Sequence, residues 1–269
     1  MQKPIVKWAG GKMKLVPRIL EALPPGHRLV EPFCGGCAVS LNADYPQYVL
    51  NDMNFALIFM YRQLMRHGDT FISSAKDYYA PARNTRKEFE TIRAEFNIAG
   101  DDSDPERFLY LNRHCFNGLW RVNKSGSFNV PYGKYKAPYF PEKEMQYFRK
   151  KFNGHDVLDN QDFEDLFSTL LQGDVVYADP PYLPLSETAD FTGYTPGGFT
   201  VESQKTLAAC AAQARANGIP VIVSNHDTPL AREIYGGANK IDSFPVRRTI
   251  SAKGSSRREV KEILAHYLP

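Results

Sequence analysis

The chain has 269 residues, 43% hydrophobic and 23% charged, which is the balance of an ordinary globular protein long enough to bury a core in one large domain or two small ones. No apolar run approaches the ~18 residues of a membrane span, and the N-terminus lacks the apolar stretch of a secretory signal, so a cytoplasmic protein is expected. Four cysteines are too few for a disulfide scaffold at this length.

In chain order, residues 29–33 read as a short strand ending in the turn Cys34-Gly35-Gly36-Cys37, with residues 38–42 as a helix start. Residues 48–52 read as a second strand with Asp52 near its C-terminal end. Strand, glycine turn, helix and a strand ending in an acid open a nucleotide-binding α/β unit. The glycines let the backbone approach a ligand, and the acid accepts from ribose hydroxyls. Cys34 and Cys37 form a Cys-x-x-Cys pair, yet no second pair at zinc spacing accompanies them. Inside a glycine turn they read as small packing residues rather than a redox pair.

From Phe55 the period changes. Ala56, Leu57, Phe59, Met60 and Leu64 recur at helical spacing, and residues 85–96 are polar, charged and helix-prone. Helices here, in place of alternating strands, suggest an inserted domain. Asn117-Gly118 and Lys124-Ser125-Gly126 suit a β-hairpin. The α/β pattern then resumes: residues 174–178 as a strand, 203–216 as an alanine-rich helix, 219–224 as a strand running into Asn225-His226-Asp227, and 240–246 and 260–267 as the last strands. The expected fold class is α/β: a Rossmann-like, parallel-type sheet from residues 1–54 and 147–269, interrupted at 55–146 by a mostly helical plus β-hairpin domain.

The net charge of +3 hides a segregation. Residues 107–151 carry ten Lys or Arg against two acids, together with eleven Phe, Tyr or Trp. Residues 152–246 carry thirteen acids against four bases, and residues 247–261 return to six bases against Glu259. Basic blocks apart from an acidic body suggest a polyanion partner, and interleaved aromatics suit phosphate contact with base stacking. Arg247 and Arg248 are expected on backbone phosphates.

The most informative segment is Asp179-Pro180-Pro181-Tyr182, directly after the apolar strand 174–178. The prolines stop the strand and stiffen the turn, since each fixes φ and removes a backbone donor. A carbonyl and the Asp carboxylate can then face one small target while the Tyr ring stacks on a flat one. That arrangement suits an exocyclic amine on a planar base.

With these pieces placed, the chain resembles the Dam-type DNA adenine-N6 methyltransferases along nearly its whole length. The matching segments come in the family's order: Lys7-Trp8-Ala9-Gly10-Gly11-Lys12, Glu31-Pro32-Phe33-Cys34-Gly35-Gly36 and Leu50-Asn51-Asp52-Met53-Asn54. Asn112-Arg113, Asn117-Gly118-Leu119-Trp120-Arg121 and Phe128-Asn129-Val130-Pro131-Tyr132-Gly133 follow, then Asp179-Pro180-Pro181-Tyr182, Ser224-Asn225-His226-Asp227 and Val246-Arg247-Arg248. The resemblance implies S-adenosyl-L-methionine as methyl donor, adenine N6 as acceptor, double-stranded DNA with GATC sites as substrate, and no metal; a monomer is expected in solution. It implies donor contacts from Trp8, Gly10, Lys12, Phe33, Gly35, Asp52 and Asp179, and catalytic roles for Asp179, Pro180 and Tyr182. It implies DNA contacts from Lys7 (first guanine), Arg121 (outer guanine of the opposite strand), Leu119 and Pro131 (thymine methyl), Phe116 (a wedge where the family often has Tyr), Asn117 beside it, and Arg113, Asn123 and Lys134. Two departures are expected to matter. Cys37 replaces a usual glycine and would narrow the donor pocket, and Trp120 would alter flanking-sequence preference. Rival expectations are a methyltransferase for another planar amine (an RNA base, cytosine N4 or a glutamine side chain) and a catalytically silent DNA-binding regulator of the same fold. A nuclease would need clustered acids around a metal, and none stands out.

Overall fold

The computed structural model describes residues 1–100, 104–183, 198–247 and 259–269. In chain order its elements are α1 (Val16–Ala22), β1 (Arg28–Glu31), β2 (Gln47–Asn51), α2 (Phe55–His67), α3 (Asp69–Asp77), α4 (Arg86–Ala99), α5 (Pro105–His114), α6 (Glu142–Lys151), β3 (Val157–Asp159), α7 (Phe163–Ser168), β4 (Asp174–Ala178), α8 (Val201–Ala216), β5 (Val221–His226), α9 (Pro229–Ile234), β6 (Lys240–Arg247) and β7 (Glu259–Tyr267). The strands form one seven-stranded sheet in the order β3-β2-β1-β4-β5-β7-β6. β3, β2, β1, β4 and β5 pair in parallel with one another in that order, while β7 runs antiparallel to both β5 and β6.

The central strands are apolar along their length because both faces of the sheet are covered. Every residue of β4 and β5 is buried. Alternate residues serve two cores. Leu29, Leu50, Val175 and Tyr177 face α1 and the helices between β2 and β3, whereas Val30, Val49, Val176 and Ala178 face α7, α8 and α9. The strand order reverses between β1 and β4, which are adjacent and in register at Val30 and Val176. A crevice opens at such a switch point beyond the carboxyl ends of the strands. The glycine turn after β1 and the Asp-Pro-Pro-Tyr turn after β4 meet there.

Residues 38–42 do not form the expected helix. Cys37 takes φ +57°, and the Ser40 N–H donates to Glu31 Oε1 at 2.8 Å rather than to a preceding carbonyl. The segment is a run of turns. The expected hairpin exists as an irregular arm, with isolated antiparallel bridges at Cys115–Tyr132 and Val122–Phe128. Lys124-Ser125-Gly126 lies at its tip, where Gly126 N–H donates to Asn123 O at 3.0 Å. Asn117-Gly118 is not a hairpin turn; it belongs to a single 3-10 turn at the base of the arm, with both residues at positive φ. Trp120, expected to influence flanking sequence, is a core residue. Its ring packs on Phe108 and Phe128 at centroid separations of 4.3 and 4.5 Å and edge-on to Phe96 at 5.8 Å. Among the described residues no helix is long and apolar enough to cross a membrane.

Candidate active site and nucleic-acid interface

The turn after β1 is built around Gly35. Its φ is +45°, and a Cβ there would sit 2.6 Å from Trp8 Cδ1 and 2.9 Å from Nε1, so the indole lies against bare backbone. The Gly35 N–H donates to Asp52 Oδ2 at 3.0 Å, and the Asn54 N–H donates to Oδ1 at 2.9 Å. Burial outweighs these two bonds and pushes the Asp52 carboxyl up to about 6. A half-buried acid that still favours its proton is short of donors, and a vicinal diol would supply them. Phe33 packs against Phe163 and Phe199 at 5.6 and 5.4 Å, leaving a partly exposed aromatic wall beside the turn. Gly10 takes φ +75° in the segment that carries Trp8. A glycine cradle, an acid short of donors and an aromatic wall fit an adenosine-bearing donor. The Cys37 side chain points away from this space. It is fully buried in the core, its thiol pushed up by burial, and it does not narrow the crevice.

At the end of β4, Asp179 receives two donors on one oxygen. Ser224 Oγ donates to Oδ1 at 2.7 Å, and Lys12 Nζ lies 3.0 Å from the same atom. The Tyr177 hydroxyl stands 3.2 Å from Ser224 Oγ. Among the described residues nothing donates to Asp179 Oδ2 or to the Pro180 carbonyl. Lys12 is only 7% exposed. It also donates to the Gly10 carbonyl at 2.7 Å and lies 4.4 Å from the centre of the Tyr182 ring. Its Nζ thus links the N-terminal glycine segment to Asp179. The Tyr182 hydroxyl donates to Glu262 Oε2 at 3.0 Å, and its ring meets His226 edge-on at 4.7 Å. Burial, with the charges of Asp179 and Glu262, raises the Tyr182 hydroxyl far above its usual range, so the ring stays neutral.

The second surface lies on the arm and the N-terminal segment. Asn112 on α5 pins Lys7 by a reciprocal pair: Lys7 N–H to Oδ1 at 2.9 Å and Nδ2 to the Lys7 carbonyl at 2.8 Å. Lys7 Nζ rests 3.9 Å from the centre of the Tyr135 ring. Its stem crosses Gly118, where any Cβ would collide with it. Phe116 is 50% exposed, so its ring is available at the surface. Its N–H donates to the Pro131 carbonyl at 2.8 Å, which puts exposed Pro131 opposite it. Asn117 is exposed at φ +55°, and Leu119 is half-buried against the core. Arg121 is exposed, with Nε donating to Asn129 Oδ1 at 2.8 Å. Lys134 is exposed at φ +55°. Asn123 is committed to the tip of the arm, where Oδ1 accepts from Ser125 N, Ser125 Oγ and Ser127 N at 2.7–3.0 Å.

Arg113 is a correction. Expected on DNA, it is 8% exposed and donates to the Ile5 carbonyl, tying α5 to the N-terminal segment. The resemblance implies a DNA contact here, but the helical period turns this side chain inward. Of Arg247 only the backbone is described, and Arg248 lies outside the described residues, as does most of the basic block. Ser224 and Asn112 were legible only as parts of matched segments. Asn129 likewise stands in a matched segment, whereas Glu262, Phe163 and Phe199 carry no local signal, because each is brought to its place by the fold. Among the described residues no group of three or more His, Cys, Asp or Glu is arranged to hold a metal.

Comparison with known proteins agrees with this geometry. Residues 8–250 match the family model of the D12 class N6 adenine-specific DNA methyltransferases. The chain is 42% identical over 270 residues to the DNA adenine methylase of Vibrio cholerae serotype O1, covering 100% of this chain and 97% of that protein. It is 43% identical over 271 residues to that of Escherichia coli K12, covering 99% and 96%. It is 43% identical over 270 residues to that of Serratia marcescens, covering 98% of each. A full-length match of this kind, over a site with the acceptors that an exocyclic amine requires, leads to one conclusion: the chain belongs to the D12 class N6 adenine-specific DNA methyltransferases.

Proposed function

We propose that this enzyme methylates N6 of adenine in GATC sites of duplex DNA, using S-adenosyl-L-methionine, and acts as a monomer on cytoplasmic DNA. The observation that carries the reading is the pair of acceptors that no donor among the described residues reaches, Asp179 Oδ2 and the Pro180 carbonyl, at the end of β4 beside the Tyr182 ring. An N6 amino group has two hydrogens to donate and a lone pair delocalised into its ring. Accepting both hydrogens draws the nitrogen toward tetrahedral geometry and frees the lone pair. Tyr182 holds the ring by stacking, and its neutral hydroxyl stays tied to Glu262. Fixing the approach in this way is a positioning effect, which can supply a large share of a rate enhancement. Asp179 also faces the positive charge that reaches N6, and Ser224 and Lys12 hold its side chain in place through Oδ1.

The methyl donor supplies an activated methyl group and needs no metal. Asp52 would hold its ribose hydroxyls, Phe33 its adenine ring, and Trp8, Gly10 and Gly35 its tail. We assign this work to residues 1–54 and 147–269, and target recognition to residues 55–146. The target base must leave the stack at a cost of about a few kcal/mol. Exposed Phe116, with Asn117, is suited to fill the gap. Arg121 would read the outer guanine through its two terminal nitrogens, as a bidentate arginine does. Lys7 would contact the first guanine, Leu119 and Pro131 the thymine methyl, and Asn123, Lys134, Arg247 and Arg248 the phosphates.

The test uses methyl-labelled S-adenosyl-L-methionine and two matched duplexes, one with GATC and one with GTAC. Label on adenine of the GATC duplex alone is expected. Label in both would retain the reaction and reject the recognition assignments; label in neither would reject the substrate.

A further inference from the structure

Behind the Asp-Pro-Pro-Tyr turn lies a buried amide pair. Gln204 on α8 is fully buried, and its Nε2 donates to the Pro181 carbonyl at 2.7 Å. Its Oε1 accepts from Asn225 Nδ2 at 3.0 Å and from the Tyr235 hydroxyl. Asn225 on β5 is equally buried, and its Oδ1 accepts from the Leu183 N–H at 3.1 Å and from the His226 N–H at 2.9 Å. The turn is therefore clasped on both sides of Tyr182, at the carbonyl before it and the amide after it. Two prolines remove the turn's own donors, so its direction depends on what reaches it from outside. Flipping the Gln204 amide would set Oε1 against the Pro181 carbonyl and Nε2 against the Asn225 amine, leaving buried groups unpaired. The network has one arrangement.

We propose that Gln204 is a positioning residue of the methyl-transfer site: by holding the Pro181 carbonyl it fixes the peptide planes that aim the Pro180 carbonyl, Asp179 and the Tyr182 ring at one acceptor nitrogen. The inference rests on the roles given above to Asp179, Pro180 and Tyr182. Among the described residues no hydrogen bond joins the Gln204 side chain to the donor turn or to the recognition arm, so its effect falls on turnover rather than on binding. A shift of about 1 Å in reacting groups can cost about a hundredfold in rate.

Gln204→Glu tests this by replacing the amide NH2 with oxygen at almost no change in volume. Ionised, the new carboxylate cannot donate to the Pro181 carbonyl. Protonated, one oxygen donates there while the other accepts from Asn225 and Tyr235, and the parent arrangement returns. The ionisable groups around it are Tyr235 in direct contact, and Asp179, Tyr182 and His226 on the turn and strand that it braces. The expected result at pH 8 is a loss of about tenfold or more in kcat, with KM for the duplex and donor affinity close to the parent. The deficit should shrink as pH falls toward 6, whereas Gln204→Met should stay impaired throughout. Tyr235→Phe removes one hydroxyl from the far side of the amide. It gives a folded variant with a smaller loss in the same direction, should Gln204→Glu fail to fold. Parent-like kcat in folded Gln204→Glu, or a deficit that ignores pH, overturns the proposal. Asp179→Ala, assayed alongside, separates the two levels. Turnover retained there rejects the catalytic reading and the proposal with it; silence there with parent-like Gln204→Glu rejects the proposal alone.

Discussion

Glu31 is the last residue of β1, 3% exposed, beneath the glycine turn. It accepts from the Ser40 N–H at 2.8 Å and from the Ser40 hydroxyl. Burial is the largest influence on it; the Ser40 bonds oppose burial and the Asp179 charge adds to it, and the carboxyl is pushed from 4.5 up to about 7. The folded protein thus favours the protonated acid. Its contribution to stability is complete below pH 4.5 and is lost as pH rises through 7. Each pKa unit of difference corresponds to about 1.4 kcal/mol, so ionising Glu31 costs the fold about 3 kcal/mol by pH 8. Glu31→Gln keeps one acceptor for Ser40 and never ionises. Relative to the parent, it should gain about 2.5 kcal/mol more unfolding free energy at pH 8 than at pH 5, where ionisation of the unfolded chain already costs the parent a little under 1 kcal/mol. Urea denaturation of both proteins at both pH values measures this double difference. Asp52, whose carboxyl shifts in the same direction, cancels between the two proteins. A difference that is the same at both pH values would refute the assignment of a neutral-range acid to this site.

Three other outcomes follow from the geometry. Donor affinity, read by calorimetry, should fall as pH drops below about 6, because protonated Asp52 cannot accept from both ribose hydroxyls; Asp52→Asn should bind weakly with no such dependence, and a flat parent profile would remove Asp52 from the donor site. Arg121→Ala should reduce discrimination at the outer guanine by about 1–3 kcal/mol, measured as the ratio of kcat/KM for GATC to that for a duplex altered at that base. Trp120→Ala should cost about 3–5 kcal/mol of stability by denaturant unfolding, with flanking-sequence preference unchanged, since the ring is enclosed by Phe96, Phe108 and Phe128.

Much of the fold is legible where burial imposes a pattern on consecutive residues. A strand covered on both faces must be apolar throughout, so residues 174–178 and 219–224 stand out, and the turn Asp179-Pro180-Pro181-Tyr182 announces itself through two prolines that no central strand tolerates. Helix periodicity likewise marks α2, and Thr85 caps α4 where the polar helical segment begins. Composition, by contrast, does not say which way a side chain points. Arg113 and Trp120 lie in a basic, aromatic stretch that reads as a nucleic-acid surface, yet the turn of α5 and the closing of the arm carry both into the core. Residues 38–42 have helical sequence but lose the helix to a left-handed Cys37 and to Glu31, which diverts the Ser40 N–H. The surroundings of Asp179 are further from view. Lys12, Ser224 and Glu262 come from three segments of the chain, and their convergence depends on β1 and β4 being neighbours at the switch point and on β7 lying antiparallel against β5. The sequence by itself determines the chemistry of the acceptor turn, because strand, acid, prolines and aromatic are contiguous. Only the tertiary structure decides which of Asp179's oxygens is occupied and which is open, because its partners are distant in the chain and meet through sheet order alone.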